Sequence, residues 1–139
     1  MRKFFPFVCV WGLAAASLAA QPAKSPQKPG KWQVRMEMEI PGVPAKMPAI
    51  TNEMCLTEAD LADPQKAVPN DSKSDCKVSD YTVKDNKVTW SMECPKQKMK
   101  GTGEMTFTAD AYTGIMNVSS DQQKMSMKYT GKYLGACTK

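Results

Sequence analysis

The sequence contains no histidine among its 139 residues. This absence excludes Ser-His-Asp and Cys-His catalytic sites, in which an imidazole accepts the proton of the nucleophile. It also excludes imidazole metal sites, and no two cysteines have the C-x-x-C spacing typical of structural zinc. A glycine-rich phosphate loop that precedes a helix is missing as well. We therefore predict that the protein is not an enzyme and carries no cofactor.

A strong charge imbalance is also lacking. The formal net charge is only +5, and basic and acidic residues are spread along the chain. The densest basic cluster is Lys96, Lys98 and Lys100 around Met99, which we interpret as a solvated loop. Nucleic-acid binding needs a concentrated basic face, so we predict no nucleic-acid partner.

No apolar run is long enough to cross a bilayer, because a spanning helix needs about 20 such residues. The uncharged stretch over residues 4–16 is shorter than this, and Arg2 and Lys3 precede it. A Ser-Leu-Ala sequence ending at Ala19 then places small residues at both specificity positions of a signal-peptidase site. These features predict a signal peptide over residues 1–19, cleaved after Ala19, and no transmembrane segment in the remaining chain.

Beyond that peptide, the sequence divides into a short lead-in and one domain. Residues 20–29 are polar and rich in proline, and we expect a disordered segment there. From Gly30 the pattern changes, because apolar and polar residues alternate from Trp32 to Ile40. This period of two predicts a strand with one buried face. We assign residues 30–139 to a single β domain.

Four cysteines remain after cleavage: Cys55, Cys76, Cys94 and Cys137. In an exported domain they predict two disulfides, with three possible connectivities. A two-residue turn at 85–86 and one β-bulge at 79–80 place Cys76 opposite Cys94 in a hairpin. We therefore predict Cys76–Cys94, which leaves Cys55–Cys137 as the second disulfide.

The remaining elements predict a mainly β fold. A strand is expected at about 49–56, followed by one short helix that Thr57 caps and Pro64 ends, and by a polar loop over 64–75. Turns at 110–111 and 121–122 join three further strands, whose inner face pairs Phe107 with Gly114, Met105 with Met116, Met116 with Met127, and Tyr112 with Gly131. We expect an antiparallel meander of about seven strands, forming a curled half-barrel or a small closed barrel.

Methionine is the unusual residue of this sequence, with 11 copies. Met36 and Met38 share one side of a strand, and so do Met125 and Met127. We expect all four to be buried core residues, because they occupy the same alternating positions of their strands as the aromatic residues and therefore lie on the same face. Two other interpretations remain open. Thioethers could bind Cu(I) or Ag(I), which prefer soft sulfur ligands, or methionines could line a barrel mouth that holds an apolar small molecule.

Short motifs in a specific order carry a family resemblance over residues 30–137. They are Gly-Lys-Trp-Gln-Val at 30–34, Met-Pro-Ala at 47–49, Cys-Leu-Thr at 55–57, Trp90 with Cys-Pro at 94–95, Gly-Thr-Gly-Glu at 101–104, Tyr-Thr-Gly at 112–114 and Tyr-Thr-Gly-Lys-Tyr-Leu-Gly-Ala-Cys at 129–137. The chain resembles the bacterial exported family catalogued as domain of unknown function 3617. This resemblance implies a periplasmic protein of a Gram-negative bacterium and brings no known activity. We expect a non-catalytic binding or envelope accessory module, whose partner is an apolar small molecule or an envelope protein.

Overall fold

The computed structural model describes residues 23–44, 47–70 and 73–138. The predicted signal peptide over residues 1–19 and its cleavage after Ala19 lie outside these residues. The described chain contains seven strands and two short helices. In chain order they are β1 (Gly30–Glu39), β2 (Ile50–Leu56), α1 (Glu58–Ala62), α2 (Pro64–Ala67), β3 (Lys77–Lys84), β4 (Lys87–Cys94), β5 (Met99–Phe107), β6 (Ala111–Ser119) and β7 (Lys124–Gly135).

The seven strands form one antiparallel sheet in the order β2-β1-β7-β6-β5-β4-β3. The sheet is open, because β2 and β3 lie at its two ends and do not pair with each other. The mainly β, antiparallel, seven-stranded fold is therefore confirmed, and the closed-barrel form is not observed. Between β2 and β3 the chain forms α1 and α2, so a helical segment connects the two edges of the sheet.

Alternating side chains divide the sheet into a polar outer face and an apolar inner face. The inner face carries the buried core, whose aromatic members include Trp32, Trp90 and Tyr112. Trp32 is fully buried and contacts the Tyr112 ring at a centroid distance of 5.6 Å. Large rings from every second strand, β1, β6 and β4, thus fill the inner face of the sheet and remove a large apolar area from water.

Two short helices follow β2, whereas the sequence predicts one. Thr57 and Asp60 form a capping box at the start of α1, as expected from the N-cap residue. Pro64 does not end the helical segment but begins α2, where Asp63 accepts a hydrogen bond from the Gln65 N–H at 2.9 Å. Proline suits the first position of a helix, because its missing N–H has no helical partner there.

The lead-in differs from the expected disordered segment over residues 23–29. Ser25 and Gln27 are buried, and the Ser25 N–H donates to the Leu61 carbonyl of α1 at 3.4 Å. The Trp32 indole N–H donates to the Lys28 carbonyl at 2.9 Å. Lys28 also lies over the Tyr133 ring, at 4.0 Å from its centroid. The segment is thus held by contacts with the sheet and α1. Its proline-rich, polar composition gives no information about such contacts.

The predicted registers are correct in two hairpins and wrong in one. The β3–β4 hairpin pairs Val83 with Val88 and Val78 with Met92, with an irregularity between Ser79 and Thr82 where the bulge was expected. The β6–β7 hairpin pairs Tyr112 with Gly131 and Met116 with Met127, as predicted.

The wrong register is that of β5 and β6. Phe107 pairs with Tyr112 rather than Gly114, and Met105 pairs with Gly114 rather than Met116. The turn lies one residue earlier than predicted, because the Thr108 N–H bonds the Ala111 carbonyl at 2.8 Å. The register is shifted by two residues, so every side chain keeps its predicted face.

Candidate functional site

Two disulfides hold the open sheet at different places. Cys55 and Cys137 are bonded, with Cα atoms 5.7 Å apart, and Cys76 and Cys94 are bonded, with Cα atoms 4.0 Å apart. These are the two predicted pairs, Cys76–Cys94 from the hairpin register and Cys55–Cys137 as the pair that remained. The first ties edge strand β2 to the segment after β7, and the second joins the residue before β3 to the end of β4. The Cys76–Cys94 pair also lines the cavity described below.

The four methionines singled out in the sequence lie on the inner face, but they are not enclosed by the core. Met36, Met38, Met125 and Met127 are only half-buried, whereas Trp32 and Trp90 on the same face are fully buried. The expectation that shared parity buries the sulfurs is therefore wrong. Val68 lies beside Met105 and Tyr112, whereas Met36, Met125 and Met127 line an open cavity on the same face.

The uncovered half of the inner face forms an open cavity of about 550 Å³. We call it the methionine cavity, because seven methionines line it. They are Met36, Met54, Met92, Met99, Met116, Met125 and Met127. The other lining side chains include Val34, Ile50, Val118 and Tyr129, and the polar ones are the neutral Asn52, Asn70, Ser74 and Gln97. None of the described residues that line the cavity carries a charge.

Met38 does not line the cavity, but it belongs to a row of methionines. Met127 on β7 pairs directly with Met38 on β1 and with Met116 on β6. Directly opposed side chains in adjacent strands have Cβ atoms about 5 Å apart. Three thioethers thus follow one another across three strands at the same level of the sheet.

Two tyrosines keep this part of the inner face neutral. Burial raises the pKa of Tyr129 to about 12, and burial together with the neighbouring Tyr129 raises that of Tyr112 to about 12. The Tyr129 hydroxyl donates to the Met127 sulfur at 3.4 Å. At neutral pH, both hydroxyls are therefore uncharged, and one of them has a thioether as its hydrogen-bond acceptor.

The outer face has a different chemistry, because it carries charged side chains, several of them in ion pairs. Glu104 lies 2.8 Å from the Lys87 ammonium, and Glu39 lies 2.8 Å from that of Lys128. Lys100, from the basic cluster noted in the sequence, lies 3.3 Å from Glu93. Exposed pairs of this kind contribute little to stability and favour solubility. The described residues contain no group of three or more His, Cys, Asp or Glu side chains that could hold a metal ion.

Sequence reasoning identified three of the cavity methionines, Met36, Met125 and Met127, and missed the other four. Met116 appeared among the predicted inner-face pairs, and Met92 alternates with Trp90 and Cys94 on one strand, so the positions of both in the strand pattern were a usable signal. Met54 and Met99 join the cavity because the curled sheet brings β2 and the start of β5 around the same space. That proximity depends on contacts between distant segments, for which a single strand pattern contains no signal.

Fold and cavity together define the class of this protein: a disulfide-bonded, open antiparallel β-sheet domain with an apolar concave face. No helix of the described residues is long and apolar enough to span a membrane. The chain belongs to the family described as "Protein of unknown function (DUF3617)", whose model matches residues 27–137. No curated protein and no solved structure matches the chain.

Proposed function

We propose that this protein is a non-catalytic binding protein that holds an apolar ligand in the methionine cavity. The observation that carries the proposal is a cavity of about 550 Å³ whose described lining is free of charge and rich in thioethers. This volume lies within the range of about 300–1,000 Å³ that is typical of small-ligand sites. Methionine side chains are flexible and polarisable, so such a lining can adapt to apolar groups of different shapes.

The same proposal includes export to the periplasm of a Gram-negative bacterium. Two disulfides support it, because such bonds persist in oxidising compartments and are rare in the cytosol. The basic, apolar and small-residue pattern over residues 1–19 supports it as well. Fractionation of a bacterium that expresses the whole chain tests the idea. We expect a periplasmic product that begins at Ala20, and a cytosolic product that retains residue 1 would contradict it.

Titration with a series of neutral alkyl ligands of increasing chain length tests the binding proposal by calorimetry. We expect saturable one-to-one binding whose free energy improves by about 0.8 kcal/mol per methylene until the cavity is filled. Met125→Glu places a charge in the cavity lining and should abolish binding. Lys124→Glu, at the outward-facing neighbour outside this cavity, is the matched control and should leave binding unchanged. Equal affinity for all chain lengths would contradict a cavity site.

A second candidate function is the binding of Cu(I) or Ag(I). The observation that favours it is the row of Met38, Met127 and Met116, because soft thioether ligands select these ions. Met38 and Met127 are half-buried and within reach of solvent, whereas Met116 is buried. A competition titration against a Cu(I) chelator tests this function, and its expected outcome is argued in the Discussion.

A further inference from the structure

The two edge strands of the open sheet, β3 and β2, differ in whether their outer backbone groups are available for pairing. At the β3 edge, the side-chain amide of Gln65 on α2 pairs with the backbone of Val78. Its nitrogen donates to the Val78 carbonyl at 3.0 Å, and its oxygen accepts from the Val78 N–H at 3.2 Å. β3 is also interrupted between Ser79 and Thr82, where Asp80 has a φ of 50°. A capping amide and a bulge are both devices that prevent another strand from pairing with an edge.

The β2 edge carries none of these devices among the described residues. Its register with β1 is continuous over all seven residues, from Ile50 opposite Met36 to Leu56 opposite Gly30. The strand contains no lysine, arginine or proline, and its residues are exposed apart from the half-buried Leu56. No described residue pairs with its outer edge. A regular, uncapped edge presents backbone N–H and C=O groups that are ready to pair with an added strand.

This uncapped edge adjoins the methionine cavity. Ile50, Asn52 and Met54 point from β2 into the cavity lining, and Ile50 and Met54 are 50% and 43% exposed. Val43 and Met47, in the connection before β2, are exposed hydrophobic residues as well. An occupant that satisfies both features must offer a hydrogen-bonding backbone to the edge and apolar groups to the cavity. An extended polypeptide does both, whereas an acyl chain has no backbone groups for the edge.

We propose that the ligand of the methionine cavity is an extended segment of another polypeptide, added beside β2 as an eighth strand. Every second side chain of this segment is apolar and enters the cavity, since alternate side chains of a strand share one face. This inference rests on the proposed function and names its ligand class.

A second copy of the chain fits the β2 edge less well than a segment of another polypeptide. Antiparallel self-pairing of the whole of β2 places Glu53 opposite Glu53, and like charges in that position are destabilising.

Binding of a capped heptapeptide with alternating apolar and threonine residues tests the inference on the disulfide-bonded protein. Two further peptides carry N-methyl groups, one on the apolar positions and one on the threonines. In an added strand, either the apolar residues or the threonines direct their backbone N–H groups toward β2, but not both. The peptide cannot exchange the two sets by shifting its register by one residue, because that shift would turn its apolar side chains out of the cavity. We expect one methylated peptide to lose affinity by about tenfold or more, and the other, as matched control, to keep it.

Hydrogen exchange of the β2 amides, Ile50–Leu56, provides the second measurement. Every other amide of the strand should become slower on addition of the unmethylated peptide, because it gains a strand partner. Equal binding of both methylated peptides together with saturable alkyl binding would overturn the inference and leave the proposed function intact. A dimer in light scattering whose β2 amides are protected without peptide would assign the edge to a second copy instead. Absence of both peptide and alkyl binding would overturn both proposals.

Discussion

The ring of Tyr112 on β6 lies directly over Gly131, its paired residue on β7. An ideal Cβ atom at Gly131 would lie 2.0 Å from the Tyr112 ring, which is far inside van der Waals contact. Trp90 and Gly103 repeat this relationship across β4 and β5, with a corresponding distance of 2.2 Å. In both pairs an aromatic ring occupies the space that a missing side chain leaves on the inner face.

We predict that Gly131→Ala lowers the free energy of unfolding by about 2–3 kcal/mol, because the added methyl group must displace the Tyr112 ring. The change is measured as a shift of the urea midpoint. Lys132→Gln, at the exposed neighbouring residue, is the control and should cost no more than about 0.5 kcal/mol. Addition of Tyr112→Leu to Gly131→Ala should recover part of the loss, because it removes the clash. Strictly additive losses in the double variant would contradict the ring-over-glycine packing.

The two disulfides should stabilise the protein by different amounts. The sequence separation is 82 residues for Cys55–Cys137 and 18 for Cys76–Cys94. Loss of the longer link should therefore cost about 4.5 kcal/mol, and loss of the shorter one about 3 kcal/mol, if the constraint acts on the unfolded chain. Paired Cys→Ser variants measured by urea unfolding provide the comparison. Peptide mapping without reductant should first recover both links, and a Cys55–Cys76 peptide would contradict the hairpin register.

The wrong register of β5 and β6 shows what alternation can predict. A shift by two residues leaves each side chain on its face, so the apolar pattern of Met105 and Phe107 fits both registers equally well. The observed register is distinguished by which bulky residue lies over which glycine. Met105 packs against Gly114, where an ideal Cβ would lie 2.5 Å from the methionine side chain. This fit between a bulky side chain and a glycine depends on the three-dimensional packing, and the alternation of apolar and polar residues does not reveal it.

The candidate site was predictable only in part of its lining, and its exposure was not predictable. Parity places Met125 and Met127 on the inner face, and the structure agrees. Alternation does not indicate that Val68 lies beside Met105 and Tyr112 while the part of the face that carries Met125 and Met127 borders an open cavity. Nor did the composition of the lead-in predict that Ser25 would be buried against α1. Each of these features depends on contacts between segments that are distant in sequence.

The buried tyrosines predict that stability falls in alkaline solution. Tyr129 has a pKa of about 12 in the folded protein, whereas an exposed tyrosine releases its proton near pH 10. The contribution of this difference is therefore fully present below pH 10 and is lost as the pH rises toward 12. It should amount to about 3 kcal/mol for each buried tyrosine.

Urea midpoints between pH 9 and about pH 11.5 measure this effect. Tyr129→Phe should flatten the decline in this window, because phenylalanine has no proton to release. All other titratable groups are common to both proteins, so the difference between the two curves reports the loss of the Tyr129 hydroxyl together with its effect on the pKa of Tyr112. Parallel curves for the native protein and Tyr129→Phe would contradict the buried, neutral hydroxyl.

Copper binding by the methionine row is expected to be weak. Met38, Met127 and Met116 provide only neutral thioethers, and the sequence has no histidine that could complete a site. The Met127 sulfur also accepts a hydrogen bond from Tyr129, which a metal ion would have to replace. We therefore predict no Cu(I) binding tighter than about micromolar, which corresponds to about 8 kcal/mol. A competition titration with a Cu(I) chelator measures it.

Met127→Leu is the variant that separates packing from metal binding. It conserves side-chain volume, so it should cost less than about 1.5 kcal/mol in the free energy of unfolding. Met54→Leu, also in the cavity lining but outside the row, is the matched control. Nanomolar one-to-one Cu(I) binding that Met127→Leu abolishes and Met54→Leu preserves, with unchanged circular dichroism, would make metal handling the function of this face. Equal and weak binding by all three proteins would instead leave the thioethers as an adaptable apolar lining, because thioethers fill irregular space without a metal ion.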